Sequence, residues 1–165
     1  MSVEVLFKKG DYVVYPSHGI GVIEQIEVQA VAGTELKVMV ILFEDNQMKL
    51  RLPTAKIKSV GLRALTPLSE MHDALKVLSK KTTIKKAMWS KRAQEYELKI
   101  NSGNPSLICE VIRDLHKAGF EAARSFSERQ MYEAALRRLA CEMAIISQVD
   151  EQTAQAEIES ILNAA

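Results

Sequence analysis

The chain has 165 residues, a mass of 18.4 kDa and a formal net charge of +1 at pH 7. Apolar residues make up 47% and charged residues 26%, a balance that excludes a wholly disordered chain, a collagen and a coiled-coil rod. This length holds one domain or two small ones and can bury a core without disulfide or metal staples.

Residues 9–60 have strand character. Tyr12-Val13-Val14-Tyr15 is a short β-rich run stopped by Pro16. Ser17-His18-Gly19 turns the chain, and Gly21 allows a close backbone approach or a bulge. From Val22 to Val31, Ile26, Val28 and Ala30 alternate with Glu27 and Gln29, the pattern of a half-buried strand. Ala32-Gly33-Thr34 is a turn. Leu36 to Phe43 is apolar at both alternations and reads as a central strand buried on both faces. Residues 44–47 form a hairpin loop. Met48, Leu50 and Leu52 then point one way, with Lys49 and Arg51 pointing the other, until Pro53 ends the strand. Four or five short strands in this span predict a small SH3- or Tudor-like β-barrel.

From residue 66 the period becomes helical. Thr66-Pro67 reads as a cap followed by proline at the first helical position, and Leu68, Met71, Leu75 and Leu78 form a stripe. Lys80 to Lys86 lacks helical periodicity and reads as a basic loop. A second helix spans Met88 to Ile100, with Trp89, Ala93, Tyr96 and Ile100 on one face and Gly103 just beyond its end. Asn104-Pro105 opens a third, striped by Leu107, Ile108, Val111, Ile112 and Leu115 and ended by Ala118-Gly119. Ser127 and Gln130 fit a capping box for the fourth, with Phe126 and Met131 as its staple. Leu139, Met143 and Ile146 continue the apolar face of that helix. Asp150 caps a last helix carrying Ile158, Ile161 and Leu162. The predicted architecture is α+β with two domains, residues 1–64 a small barrel and 65–165 an all-α bundle.

The near-neutral total conceals an uneven distribution. Residues 66–102 carry 8 basic and 4 acidic groups, whereas 103–165 carry 6 and 10. Within 76–92 there are seven basic residues, Lys76, Lys80, Lys81, Lys85, Lys86, Lys91 and Arg92, and no acid. Such a run is either a solvated face or a local positive field for an anionic partner.

Catalytic signatures are missing. There is no Walker loop, dinucleotide fingerprint, GxSxG or HExxH motif. His18, His72 and His116 are scattered, no His/Cys pair has zinc spacing, and no cofactor is expected. Cys109 and Cys141 sit in helical stripes as structural thiols; two cysteines make no disulfide framework, so a reducing cytoplasm is expected. No apolar run reaches the about 18 residues of a membrane span, and no basic-then-apolar-then-small pattern of the kind expected of a secretion signal is seen. Trp89, the sole tryptophan, is on a helical stripe and could be core. It also follows the basic loop directly, in the first turn of its helix. An apolar plate among cations suits nucleic acid, with phosphates held by the cations while the ring packs on or into a base step.

The run KKGDYVVYPSHGIGVIEQIE (8–27) resembles the opening of the CarD-like transcription regulators, a small domain shared with transcription–repair coupling factors. MWSKRAQEYELKINSGN (88–104), VIRDLHK, SERQMYEAALRRLACEMA and the closing helix fit the same family, so the resemblance covers about residues 8–163. It implies an N-terminal Tudor-like domain that binds the β subunit of bacterial RNA polymerase. It also implies a helical domain that contacts promoter DNA at the upstream edge of the transcription bubble and stabilises the open complex. Carried over, Trp89 is the minor-groove wedge, and Lys91 and Arg92 are phosphate contacts; Lys85 and Lys86 join them on the charge argument. Arg51 matches the polymerase-binding strand, with Lys49 beside it. Gln29 stands where some relatives carry arginine, and Ala93-Gln94 where relatives can carry another cation. A monomer suffices. A protein-only adaptor of the transcription machinery remains the alternative, and a small-barrel RNA binder is weaker because Tyr12, Tyr15 and Phe43 are more simply core.

Overall fold

The computed structural model describes residues 7–43, 47–81, 88–121 and 126–164, with side chains for all of these except 31 and 117–121. The chain divides into two units, Met1–Leu65 and Thr66–Ala165.

The first unit is an antiparallel sheet. Its strands are β1 (Tyr12–Tyr15), β2 (Gly19–Val31), β3 (Thr34–Phe43), β4 (Met48–Pro53) and β5 (Arg63–Ala64), in the order β4-β3-β2-β1-β5. A 3₁₀ turn (Thr54–Lys56) and a one-turn helix, α1 (Ile57–Val60), join β4 to β5. β3 lies between β2 and β4, and Val38, Met39, Val40 and Ile41 are all buried, as expected of a central strand. Val13, Ile23, Met39, Ile41, Phe43, Leu52 and Ile57 build the core. Gly21 permits the close approach of β2 to β3: a Cβ there would lie 2.5 Å from Ile41 Cγ2 and 3.1 Å from Phe43 Cδ1.

One expectation is corrected in β2. Ile26, Val28 and Ala30 are exposed, not half-buried, Val28 by 58%. A bulge between Ile23 and Gln25 inserts one residue into the register, which puts Ile23 and Ile26 on one face despite their odd spacing. Ile26 and Val28 therefore share the core face, but Val28 pairs with Lys37 and Ala30 with Glu35. The ribbon has run past the apolar partners that would cover it.

The second unit is helical: α2 (Leu68–Leu75), continued by a 3₁₀ turn (Lys76–Ser79), α3 (Trp89–Asn101), α4 (Pro105–Glu121), α5 (Phe126–Ser147) and α6 (Glu151–Ala164). Its core combines Met71, Leu75, Leu78, Tyr96, Ile100, Ile112, Leu115, Leu139, Met143, Ile158 and Leu162. Gly103 takes φ +71° just beyond α3, as its position predicts. Asn104 Oδ1 accepts the Ser106 N–H at 2.9 Å, and Asp150 Oδ1 accepts the Thr153 N–H at 2.7 Å. Hydrogen bonds from the Thr153 hydroxyl and then from its N–H hold the Asp150 carboxyl below its ordinary range.

Several helix limits move. α2 begins one residue late, with Pro67 at the cap; Leu68 is exposed, and Thr66 turns inward to donate its N–H (2.8 Å) and hydroxyl (2.7 Å) to the buried Glu142 carboxylate. α4 continues through Gly119 to Glu121, because one helical glycine costs only about 1 kcal/mol. α5 starts at Phe126, so Ser127 lies inside the helix and not at its cap. Phe126 is 71% exposed, so it does not act as a staple. The expected 44–47 hairpin loop and Lys80–Lys86 loop fall largely on 44–46 and 82–87, outside the described residues.

Candidate nucleic-acid and polymerase interfaces

α3 opens on Met88, whose extended backbone caps the helix and whose carbonyl accepts the Lys91 and Arg92 N–H groups at 3.1 Å each. Trp89 is therefore the first helical residue. Its side chain is half-buried and packs against the helical core. The indole Nε1–H donates to Ser127 Oγ at 3.1 Å. The Arg92 guanidinium lies 5.5 Å from the Trp89 ring centroid and 5.6 Å from that of Tyr96, and Arg92 Nη2 donates to the Tyr96 hydroxyl at 3.4 Å. Cation–π attraction to two rings offsets the desolvation of a guanidinium whose Nε is buried with no hydrogen-bond partner among the described residues. Burial pushes the Tyr96 phenol pKa up, and the Arg92 hydrogen bond opposes that shift.

Two apolar residues next in sequence to the bonded pair are exposed: Met88 by 79% and Phe126 by 71%. Each immediately precedes one member of the Trp89–Ser127 pair, so the bond brings two apolar helix starts together. Lys91 is exposed, and so is Arg129 in the first turn of α5. Lys85 and Lys86 lie outside the described residues. The structure thus places Arg92 on the Trp89 and Tyr96 rings, with Lys91 exposed on the same helix turn. Ser127, Phe126 and Met88 were missed by sequence reasoning. Ser127 and Phe126 are about forty positions from Trp89, and a capping pattern offered a simpler use for both.

The other candidate surface lies on the sheet face opposite the core cluster. In the register, Arg51 pairs with Val40 and Val40 with Gln25, which sets Arg51 diagonally across β3 from Glu27. Arg51 Nη1 donates to the Glu27 carboxylate, and Gln29 Nε2 donates to it at 3.3 Å. Lys49 Nζ lies 3.0 Å from Glu24 Oε1. Arg51, Gln29 and Lys49 therefore share one polar face, interleaved with two carboxylates that sequence reasoning did not assign. Arg51 and Lys49 are exposed, where such ion pairs contribute little and exchange readily for a partner's charges.

Among the described residues no group of three or more His, Cys, Asp or Glu could hold a metal. Both cysteines are unbridged. Burial pushes the Cys109 thiol up to about 12, which makes it a poor nucleophile. No helix of the described residues is long and apolar enough to cross a membrane.

The CarD-like/TRCF RID domain model matches residues 7–66, and the CarD C-terminal domain model matches residues 73–159. The chain belongs to the CarD-like family. The putative transcription factor YdeB of Bacillus subtilis (strain 168) is 29% identical over 147 residues, covering 89% of this chain and 96% of YdeB. A solved structure, CdnLNt from Myxococcus xanthus, is 41% identical over 36% of this chain and 83% of its own length, with a TM-score of 0.32. As a CarD-like protein the chain is a transcription regulator, with a Tudor-like β domain ahead of its helices. Membership implies an interaction with RNA polymerase.

Proposed function

We propose that this CarD-like protein docks on the β subunit of RNA polymerase and stabilises the promoter open complex with a tryptophan wedge. Arg51, Lys49 and Gln29 form the docking face. Trp89 enters the minor groove at the upstream edge of the bubble, while Lys91 and, ahead of it, Lys85 and Lys86 hold phosphates. The protein acts in the cytoplasm, as a monomer carried by polymerase on the nucleoid. The observation that supports this most is the setting of Trp89. Its ring is half-buried at a helix start and bonded to Ser127, and Met88, Phe126 and Lys91, close to that pair in sequence, are exposed.

Unstacking a base step costs a few kcal/mol, so the wedge works where polymerase has already distorted the duplex. Binding to free DNA is weak and indifferent to sequence. With about four phosphates neutralised, log K falls against log salt with a slope of roughly −3 to −4. Each 1.4 kcal/mol of preference for the open state shifts the open/closed ratio about tenfold. The test is the half-life of a competitor-challenged polymerase–promoter complex. Wild type should lengthen it, and Trp89→Ala should lose most of that gain while still binding polymerase. The stacking of Arg92 on Trp89 and Tyr96 favours a second reading, a protein-only adaptor. An unchanged half-life with polymerase-bound wild type would select it.

A further inference from the structure

We infer that Ser127 is the positioning residue for Trp89, aiming its indole by holding the Nε1–H, so that the ring is presented to DNA by α5 as much as by its own helix. The inference rests on the proposed wedge.

Hydrogen bonds tie α3 to α5 near both ends of their contact. Ser127 Oγ accepts the Trp89 Nε1–H at 3.1 Å, and Arg138 Nη1 donates to the Ile100 carbonyl oxygen at 3.2 Å. Both link residues 38 apart in sequence. Trp89 and Ile100 are eleven positions apart, and so are Ser127 and Arg138. The two helices therefore run side by side in the same direction for eleven residues, roughly 16 Å at helical rise. Their contact is fixed near both ends, with Tyr96 and Leu136 core between those ends and Ile100 and Leu139 core at the far one. Ser127 stands at the start of a stiff frame, and the ring it holds is the only tryptophan in the chain.

Without this bond the indole keeps Arg92 on its face and Tyr96 behind it, 6.3 Å between ring centroids. Those contacts fix how deep the ring sits. They restrain rotation about the Cβ–Cγ bond only loosely, because a cation within about 6 Å of a π face is attracted without a directed bond. A hydrogen bond from the ring edge is directional and narrows it further. The indole has a single donor, and Ser127 uses it. What remains to meet DNA is carbon, so the contact gains nothing from the hydrogen-bonding pattern of one base over another. The sequence indifference of the wedge thus has a local cause.

The experiment compares full-length wild type, Ser127→Ala and Ser127→Thr. Fluorescence anisotropy decay of Trp89 in the free protein reports the motion of this one ring. The same proteins are run in the open-complex half-life assay. Ser127→Ala should enlarge the fast, local component of the anisotropy decay and shorten the half-life about three- to tenfold, the range for one net hydrogen bond. Ser127→Thr, which keeps the hydroxyl, should restore both. A ring as still in Ser127→Ala as in wild type overturns the positioning role. So does a shortened half-life that Ser127→Thr fails to rescue. If Ser127→Ala frees the ring but wild type never lengthens the half-life, the wedge reading fails, and with it the functional part of the inference. The fluorescence arm separates that failure from the failure of the clamp.

Discussion

At Trp89 one side chain serves packing and surface together, and the two uses separate by magnitude. A fully buried tryptophan replaced by alanine costs about 3–5 kcal/mol. Trp89 is half-buried at a helix start, so Trp89→Ala should cost about 2 kcal/mol of the helical unit, less than a small domain's stability of about 5–15 kcal/mol. Chemical denaturation should show a lower midpoint and a folded baseline, with polymerase binding intact. Asp150 offers a pH test with a definite sign. Its carboxyl is held below 3.8 by the Thr153 hydrogen bonds, so its folded value lies under its unfolded one. The stabilisation is complete above the unfolded value and disappears as pH falls through the folded one. Asp150→Ala should lower Tm at neutral pH, and the gap from wild type should close in acid below about pH 4. A gap that persists there would assign the effect to helix propensity instead of the charged cap.

Among the elements, β2 tests the sheet most sharply. Gly21 has no room for a methyl group, with Ile41 Cγ2 at 2.5 Å and the Leu42 carbonyl oxygen at 3.1 Å from its Cβ position. Gly21→Ala should cost the first unit about 1–3 kcal/mol by overpacking, read as a lower denaturation midpoint. In the second unit, Glu142→Ala removes a buried acceptor from the Thr66 N–H and hydroxyl. It should cost about 1–3 kcal/mol with an unchanged denaturant slope, since no element is lost. These sites also mark what the sequence disclosed. The double alternation of Leu36–Phe43 identified the central strand, and the wide apolar stripe of α4 identified a core helix, because burial acts on period. The bulge after Ile23 was invisible, since an inserted residue leaves no composition signal and resets which side chains share a face. Ser127 matched a cap by local spacing, but a contact with Trp89 depends on how α5 packs on α3, which local spacing does not encode. Arg51, Lys49 and Gln29 were named from resemblance and strand parity; Glu27, which joins two of them, emerged only from the register across β3.

Across the whole molecule, the proposed division of labour between the two units predicts how their mutants behave in competition. A wedge carried to the fork by a docked domain works at an effective concentration set by the tether, so its own affinity for DNA can be weak. Arg51→Glu replaces an exposed cation that is paired with Glu27. It should cost under about 1 kcal/mol of stability while placing a like charge before any acidic partner surface. That protein keeps Trp89 but loses the tether. At wild-type working concentration it should leave the open-complex half-life unchanged, and a large excess should recover part of the effect, more at low salt than at high salt because only phosphate contacts then hold it. Trp89→Ala keeps the tether and lacks the wedge. Even in excess it should lengthen the half-life little, and it should displace wild type from polymerase, bringing the half-life back close to its factor-free value as its share of docking sites rises. Titrating each mutant against a fixed amount of wild type reads both outcomes in one assay. An Arg51→Glu protein that competes as well as Trp89→Ala would move the docking site off the Arg51 face. A Trp89→Ala protein that fails to compete would place part of the polymerase contact on the helical unit itself.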